Sequence, residues 1–143
     1  VSYELSEQRI GIKKHLGEFL PKLKLDENLM KQALLNIIKN AMNAMEDTGG
    51  TLTVSTKLAG DSVSLTITDT GTGMDEATMA KIFEPYFTTK ASGSGLGLTM
   101  VFKVVKEHHG EIAVTSKQKI GTNFTITLPV PTSERLALEA TKA

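Results

Sequence analysis

The sequence predicts an α+β domain, and two observations carry the prediction. Five short stretches alternate apolar and polar residues with the period of half-buried strands, while two others repeat apolar residues at helical spacing. The strand-type stretches also follow one another directly, two around Ala59-Gly-Asp61 and two around a turn ending at Gly121, as antiparallel hairpins do. A chain of 143 residues is enough for one domain with a proper core and too short for two ordinary ones.

Residues 1–8 carry no strong pattern and read as a linker or the end of a preceding element, with the domain proper expected over 9–131 and a tail over 132–143. Arg9–Leu16 alternates loosely, as a first strand. Pro21 and the polar stretch after it lead to Asp26, a suitable N-cap for a helix from Glu27 to about Glu46. Its residues Leu29, Ala33, Leu34, Ile37, Ile38, Ala41 and Met45 form one apolar stripe that faces a core. Gly49-Gly50 ends the helix, and Thr51–Leu58 and Ser62–Thr68 are strands.

Asp75 caps a short helix, about Glu76–Ile82. Phe83–Lys90 holds three of the seven aromatic residues and reads as a loop anchored by aromatic contacts. A helix from Leu98 to about His109 is amphipathic through Val101, Val104 and Val105. Glu111–Ser116 and Thr122–Leu128 are two further strands, stopped by Pro129 and Pro131, and Ser133–Ala143 is a helix-prone tail.

Composition narrows the functional classes. Sixteen basic residues balance sixteen acidic ones, so a general electrostatic pull on nucleic acid or on an anionic membrane is not indicated. The absence of cysteine removes disulfides, thiolate nucleophiles and cysteine-based metal sites, and fits a reducing compartment. No apolar run approaches a membrane span, and no signal-peptide pattern opens the chain. The abrupt start at Val1 within polar sequence suggests a piece of a longer protein. A cytoplasmic location is expected, with membrane anchoring of the parent left open.

Three histidines, His15, His108 and His109, have no second group at ligand or triad spacing. Structural roles are expected for them, the last two at a helix end where a cation suits the dipole. Acid–base pairs, P-loop lysine motifs and zinc patterns are absent.

The chemistry-bearing stretches are Asp69–Met74, DTGTGM, and Gly93–Leu98, GSGLGL. The first places a carboxylate at a strand end and follows it with two glycines, a loop that turns sharply and lets a flat ligand approach the backbone. The second sets glycines ahead of a helix N-terminus, whose unpaired amides can seat a phosphate. Together they suggest a nucleotide site. Asn36, Asn40 and Asn43, at i, i+4 and i+7, lie near one line on the long helix. They are either a solvated polar face or amide oxygens that hold a Mg²⁺ bridging phosphates. Lys90, beside the small residues Ala91–Ser94, is either an exposed loop lysine or a phosphate ligand.

These residues resemble the motifs of a known family. Gln32-Ala-Leu-Leu-Asn36-Ile-Ile-Lys-Asn40-Ala resembles the N box of the ATP-binding catalytic domain of bacterial sensor histidine kinases, within the GHKL superfamily shared with gyrase, Hsp90 and MutL. Asp69–Met74 resembles its G1 box, Phe83–Lys90 the F box of nitrogen-regulation-type kinases, and Gly93–Leu98 the G2 box. Gly121-Thr122-Asn-Phe124 with Leu128-Pro129 resembles the family's last strand. Four boxes in family order are far more specific than any one alone.

The resemblance implies a two-layer α/β sandwich, with a mixed, mostly antiparallel sheet and three helices on one face. It implies ATP and Mg²⁺ as ligands, with Asn40 on the metal and Asn36 ordering the phosphates or the transfer. Asp69 would accept from the adenine amino group, Gly71 and Gly73 would let the loop wrap the base, and Thr122 would help order water around it. Lys90 and the amides of Gly95, Leu96, Gly97 and Leu98 would hold phosphates. Asn43, Met74, Ile82, Phe87 and Ser94 complete the implied ATP site, and Asn36, Asn40 and Lys90 would be its catalytic residues.

The resemblance also implies partners. The γ-phosphoryl acceptor would be a histidine in an H-E-[LIV]-[RKN]-[NH]-P setting on a separate dimerisation domain, a setting that none of the histidines here has. A response regulator would follow through the full-length kinase, and this chain alone would be monomeric. Asn43 stands where many kinases have lysine, and His109 where the family often has glycine. The rival readings are a hydrolytic GHKL ATPase and a degenerate nucleotide-binding regulatory module. Against the first, ATPases and serine kinases of the superfamily resemble one another in placing a glutamate general base four residues before the metal-binding asparagine; here that position is Asn36, whose amide cannot take up a proton.

Overall fold

Polar and apolar residues alternate along the strands, and the sheet they build sorts them onto two faces. The computed structural model describes residues 10–18, 20, 23–82 and 97–131. Five strands, β1 (Ile10–His15), β2 (Gly50–Ala59), β3 (Ser62–Asp69), β4 (Glu111–Lys117) and β5 (Gly121–Pro129), lie in the order β1-β2-β3-β5-β4. β1 runs parallel to β2 and every other neighbouring pair is antiparallel. The helices are α1 (Glu27–Ala44), α2 (Glu76–Met79) and α3 (Gly97–Glu107). The α+β class and the mixed, mostly antiparallel sheet are those expected from the sequence.

Cross-strand partners share a face of a sheet, so the register names the residues of each layer. Leu52, Val54, Ile67, Phe124, Ile126, Ile112 and Val114 fall on one face and belong to the hydrophobic core. That core is completed by Ala33, Ile37, Ala41 and Met45 at the α1 side and by Val101, Val104 and Val105 of α3. The opposite face carries Thr53, Ser55, Ser64, Thr66, Thr68, Asn123, Thr125 and Thr127, tied in part by Thr68 Oγ1 donating to Asn123 Oδ1 at 2.8 Å.

The α1 stripe is shifted from the sequence expectation: Met30 and Met42 are buried, while Leu29, Leu34 and Ile38 are only partly so. Methionine's flexible, unbranched chain fills the irregular gap between helix and sheet, which periodicity alone does not reveal.

Element ends follow from local hydrogen bonding. Asp26 caps α1 by accepting from Leu29 N–H at 3.1 Å, and Asp75 caps α2 by accepting from Thr78 N–H at 2.7 Å, which holds the Asp75 carboxyl below its usual range. α1 stops at Ala44, short of the expected Glu46, where Met45 N–H and Glu46 N–H turn to carbonyls three residues back, Met42 O at 3.1 Å and Asn43 O at 3.3 Å; the Ala44 carbonyl accepts from Thr72 N–H at 3.1 Å. α2 also ends early, at Met79, where Lys81 N–H turns to the Thr78 carbonyl in a tighter final turn.

α3 ends in a Schellman arrangement, with Gly110 N–H on Val105 O at 2.9 Å, His109 N–H on Lys106 O at 3.0 Å and His109 itself at φ 59°. His108 Nε2 accepts from Asp26 N–H at 2.9 Å, so its proton sits on Nδ1 and is donated to the Val104 carbonyl at 2.7 Å. His108 is therefore a structural clip between the end of α3 and the start of α1. The segments 1–8 and 132–143, read from the sequence as linker and tail, lie outside the described residues.

Candidate functional site

The sheet register assembles the site. Counting across the last rung of the core face, Leu52 pairs with Asp69, Asp69 with Thr122, and Thr122 with Ser116. Where the rungs above hold Ile67, Phe124 and Val114, this one ends in a carboxylate and two hydroxyls. Asp69 is 5% exposed and Thr122 7% exposed. Among the described residues Asp69 has no cationic partner, so desolvation raises its pKa, while the backbone N–H groups of Gly71 and Thr122 pull it back down. Gly71 N–H donates to Asp69 Oδ1 at 2.8 Å. An ionised carboxylate offers about four acceptor directions, so this anion keeps capacity for a donor outside the protein. A buried, unpaired carboxylate in such a place is a functional-site signature.

The loop after Asp69 is clamped from two sides. On one side, a Cβ added at Gly71 would stand 2.5 Å from the Ala44 carbonyl oxygen and 2.7 Å from the Ala44 Cβ, so only glycine lets the loop lie against the end of α1. On the other side, Gly73 has φ +69° and a Cβ there would run into the Lys117 carbonyl oxygen in the β4–β5 turn. Lys119 N–H donates to Thr72 O at 2.7 Å and Met74 N–H to Ser116 Oγ at 2.8 Å. Helix end, glycine loop and hairpin turn form one hydrogen-bonded wall.

α1 presents the asparagines beside this wall. Asn36 is half-buried, and Asn40 and Asn43 are exposed. Asn40 and Ala44 are four residues apart and so lie one above the other on the helix, which puts Asn40 on the flank that adjoins Gly71 through Ala44. Among the described residues no group of three or more His, Cys, Asp or Glu is gathered to hold a metal. Hard amide oxygens without a carboxylate cage suit a Mg²⁺ that arrives with phosphates and keeps much of its shell on them and on water. The donor set fits that group.

Of the other expected site residues, Ile82 is buried in the core, Met74 is half-buried against it, Gly97 opens α3 and Leu98 is half-buried in its first turn. Phe87, Lys90, Ser94, Gly95 and Leu96 lie outside the described residues. The structure thus gathers Asp69, Gly71, Gly73, Met74 and Thr122 into one cluster with α1 on its flank. Sequence reasoning missed Ser116. A serine in an alternating strand carries no signal of its own, and only the pairing of β4 with β5 puts it beside Thr122.

A polar rung at the end of a core face, a glycine loop clamped against it and an asparagine-bearing helix alongside thus lie together at one end of this α+β domain. Residues 25–132 match the family of histidine kinase-, DNA gyrase B- and HSP90-like ATPases, and the chain belongs to that family. It is 41% identical over 111 residues to sporulation kinase E of Bacillus subtilis, covering 78% of this chain and 15% of that protein. It is 37% identical over 130 residues to the sensor histidine kinase ZraS of Escherichia coli, covering 91% of this chain and 28% of that one. The solved catalytic domain of the histidine kinase ThkA superposes with a TM-score of 0.78 at 25% identity, over 90% of this chain and 84% of that one. The chain therefore spans only 15–28% of the length of these curated relatives.

Proposed function

We propose that this chain is the ATP-binding catalytic domain of a sensor histidine kinase. In this reading residues 9–131 form the catalytic unit, which positions Mg-ATP for γ-phosphoryl transfer to a histidine on a dimerisation domain outside these 143 residues. The observation that carries the reading is Asp69, buried and without a cationic partner among the described residues, at the end of the core face beside Thr122 and the clamped glycine loop. A buried acceptor selects a ligand edge that donates, as the adenine amino group does, and rejects one that accepts.

Asn36 supports a kinase over a hydrolase. Water or a serine hydroxyl needs a base to remove its proton, and an amide cannot serve. A neutral imidazole already has a lone pair to attack the γ-phosphorus, with the bond to the bridging oxygen breaking and ADP leaving. The work left to the domain is positioning and charge neutralisation. Asn40 is the proposed protein ligand for Mg²⁺, which would neutralise phosphate charge when bound, and Asn36 helps order the phosphates or the transfer. Lys90 and the amides from Gly95 to Leu98 are the proposed phosphate ligands at the other end of the nucleotide. The kinases named above point to two-component signalling, so the further partner is a response regulator reached through the whole parent protein, and the isolated domain is monomeric. No helix among the described residues is long and apolar enough to cross a membrane; a cytoplasmic site of action is proposed.

Calorimetric titration with a non-hydrolysable ATP analogue, with and without Mg²⁺, tests the site: binding strengthened by Mg²⁺ is expected. No binding at millimolar analogue favours a degenerate regulatory module. Incubating the full-length parent with radiolabelled ATP tests the chemistry, since phosphohistidine label is acid-labile and alkali-stable. Steady ATP hydrolysis without such label favours the ATPase.

A further inference from the structure

Ser116 is the hub of the polar rung. Its Oγ lies 2.8 Å from the Met74 amide nitrogen, 3.1 Å from the Gly121 carbonyl oxygen and 2.7 Å from Thr122 Oγ1. A serine hydroxyl has one proton and two lone pairs. Met74 N–H can only donate and the Gly121 carbonyl can only accept, so the serine proton goes to Gly121 and one lone pair to Met74. The remaining lone pair faces Thr122. All three contacts are satisfied only if Thr122 donates its own hydroxyl proton to Ser116. Were Ser116 to donate to Thr122 instead, the Gly121 carbonyl would lose its proton.

The consequence reaches the ligand side. With its proton committed to Ser116, Thr122 Oγ1 has only lone pairs left, and it sits beside the Asp69 carboxylate on the same rung. The rung then presents acceptors alone. We propose that Ser116 is a specificity-determining positioning residue: by fixing the proton of Thr122 and pinning Met74, it keeps this end of the site acceptor-only and so tuned to the amino edge of adenine against a 6-oxo purine. The proposal deepens the ATP-binding reading and rests on it.

Replacing Ser116 by alanine frees the Thr122 proton to turn towards a carbonyl at position 6 and leaves the Met74 amide without its acceptor. A role confined to holding the fold would weaken all nucleotides alike; this one changes their ratio. ADP and IDP are suitable probes because their bases differ only at position 6 and in the proton on N1. Affinities of both are measured calorimetrically for the whole chain.

The wild type should prefer ADP, and Ser116→Ala should narrow the ADP-to-IDP ratio by about tenfold. Ser116→Thr, which keeps the hydroxyl, should restore it. Ser116→Cys, similar in volume but a poor acceptor, should narrow the ratio as alanine does and serves if the alanine variant does not fold. An unchanged ratio in the alanine or cysteine variant, with the wild-type preference intact, overturns the proposal. A wild type that binds neither nucleotide overturns the ATP-binding reading itself, and the role of Ser116 falls with it.

Discussion

Gly73 and Gly60 share a positive φ in different surroundings, which makes a matched pair of substitutions. Gly73 has φ +69° and Gly60 φ +62°, so alanine at either position meets the same left-handed strain, about 1–2 kcal/mol. At Gly60, in the β2–β3 turn, a Cβ meets nothing within 4 Å. At Gly73 it runs into the Lys117 carbonyl, whose carbon would be 2.6 Å away, with Gln118 Cα at 3.0 Å.

The loop and the β4–β5 turn must part to admit it, by an amount approaching ~1 Å at the oxygen, which takes short hydrogen bonds out of range. Two such bonds bridge the gap, Met74 N–H to Ser116 Oγ at 2.8 Å and Lys119 N–H to Thr72 O at 2.7 Å. Losing them adds roughly 1 kcal/mol each and strands an amide. Gly73→Ala should therefore destabilise by about 3–5 kcal/mol, against about 1–2 kcal/mol for Gly60→Ala. Urea denaturation followed by circular dichroism, with equal slopes required for the comparison, measures both. Equal losses for the two variants would refute the clamp. Nucleotide affinity should fall only in the Gly73 variant, because Gly60 is outside the site.

Asp69→Asn should weaken adenine-nucleotide binding by roughly 1–3 kcal/mol, since it mismatches a buried polar pair; unchanged affinity in calorimetry would refute the role. The same variant has a pH signature in the free protein. Asp69 is raised from its ordinary 3.8, so the stability it contributes is greatest below that pH and is lost as pH rises through the folded value. Asparagine does not ionise, so Asp69→Asn should gain on the wild type between acid pH and neutrality in denaturant titrations; a constant or reversed gap would contradict the burial argument. Asn40→Ala should abolish the Mg²⁺ dependence of ATP binding while sparing adenosine, and a retained Mg²⁺ effect would move the metal elsewhere. His109→Gly, at φ 59° in the α3 terminus, should stabilise by about 0.5–1 kcal/mol in thermal unfolding, and a loss would show that the imidazole makes a compensating contact.

Local physics was legible in the sequence. The strands were readable because β2, β3, β4 and β5 each alternate, and the sheet sorts that alternation onto a core face and a threonine-rich face. The caps Asp26 and Asp75 were readable because an N-cap acts over three residues. Asp69, Gly71 and Gly73 were readable because a strand end followed by spaced glycines is itself a local pattern. What the sequence did not contain is register. Whether Asp69 faces the core or solvent depends on which residue of β5 lies opposite, and a slip of one position would turn the carboxylate outwards. Only the tertiary structure set Thr122 against Asp69 and Ser116 against Thr122, drew the Ala44 carbonyl to Thr72, and closed His108 onto Asp26. Most of these join residues distant in sequence, and even Ser116 and Thr122, six apart, meet only through the pairing of β4 with β5; periodicity and local propensity carry no information about such contacts.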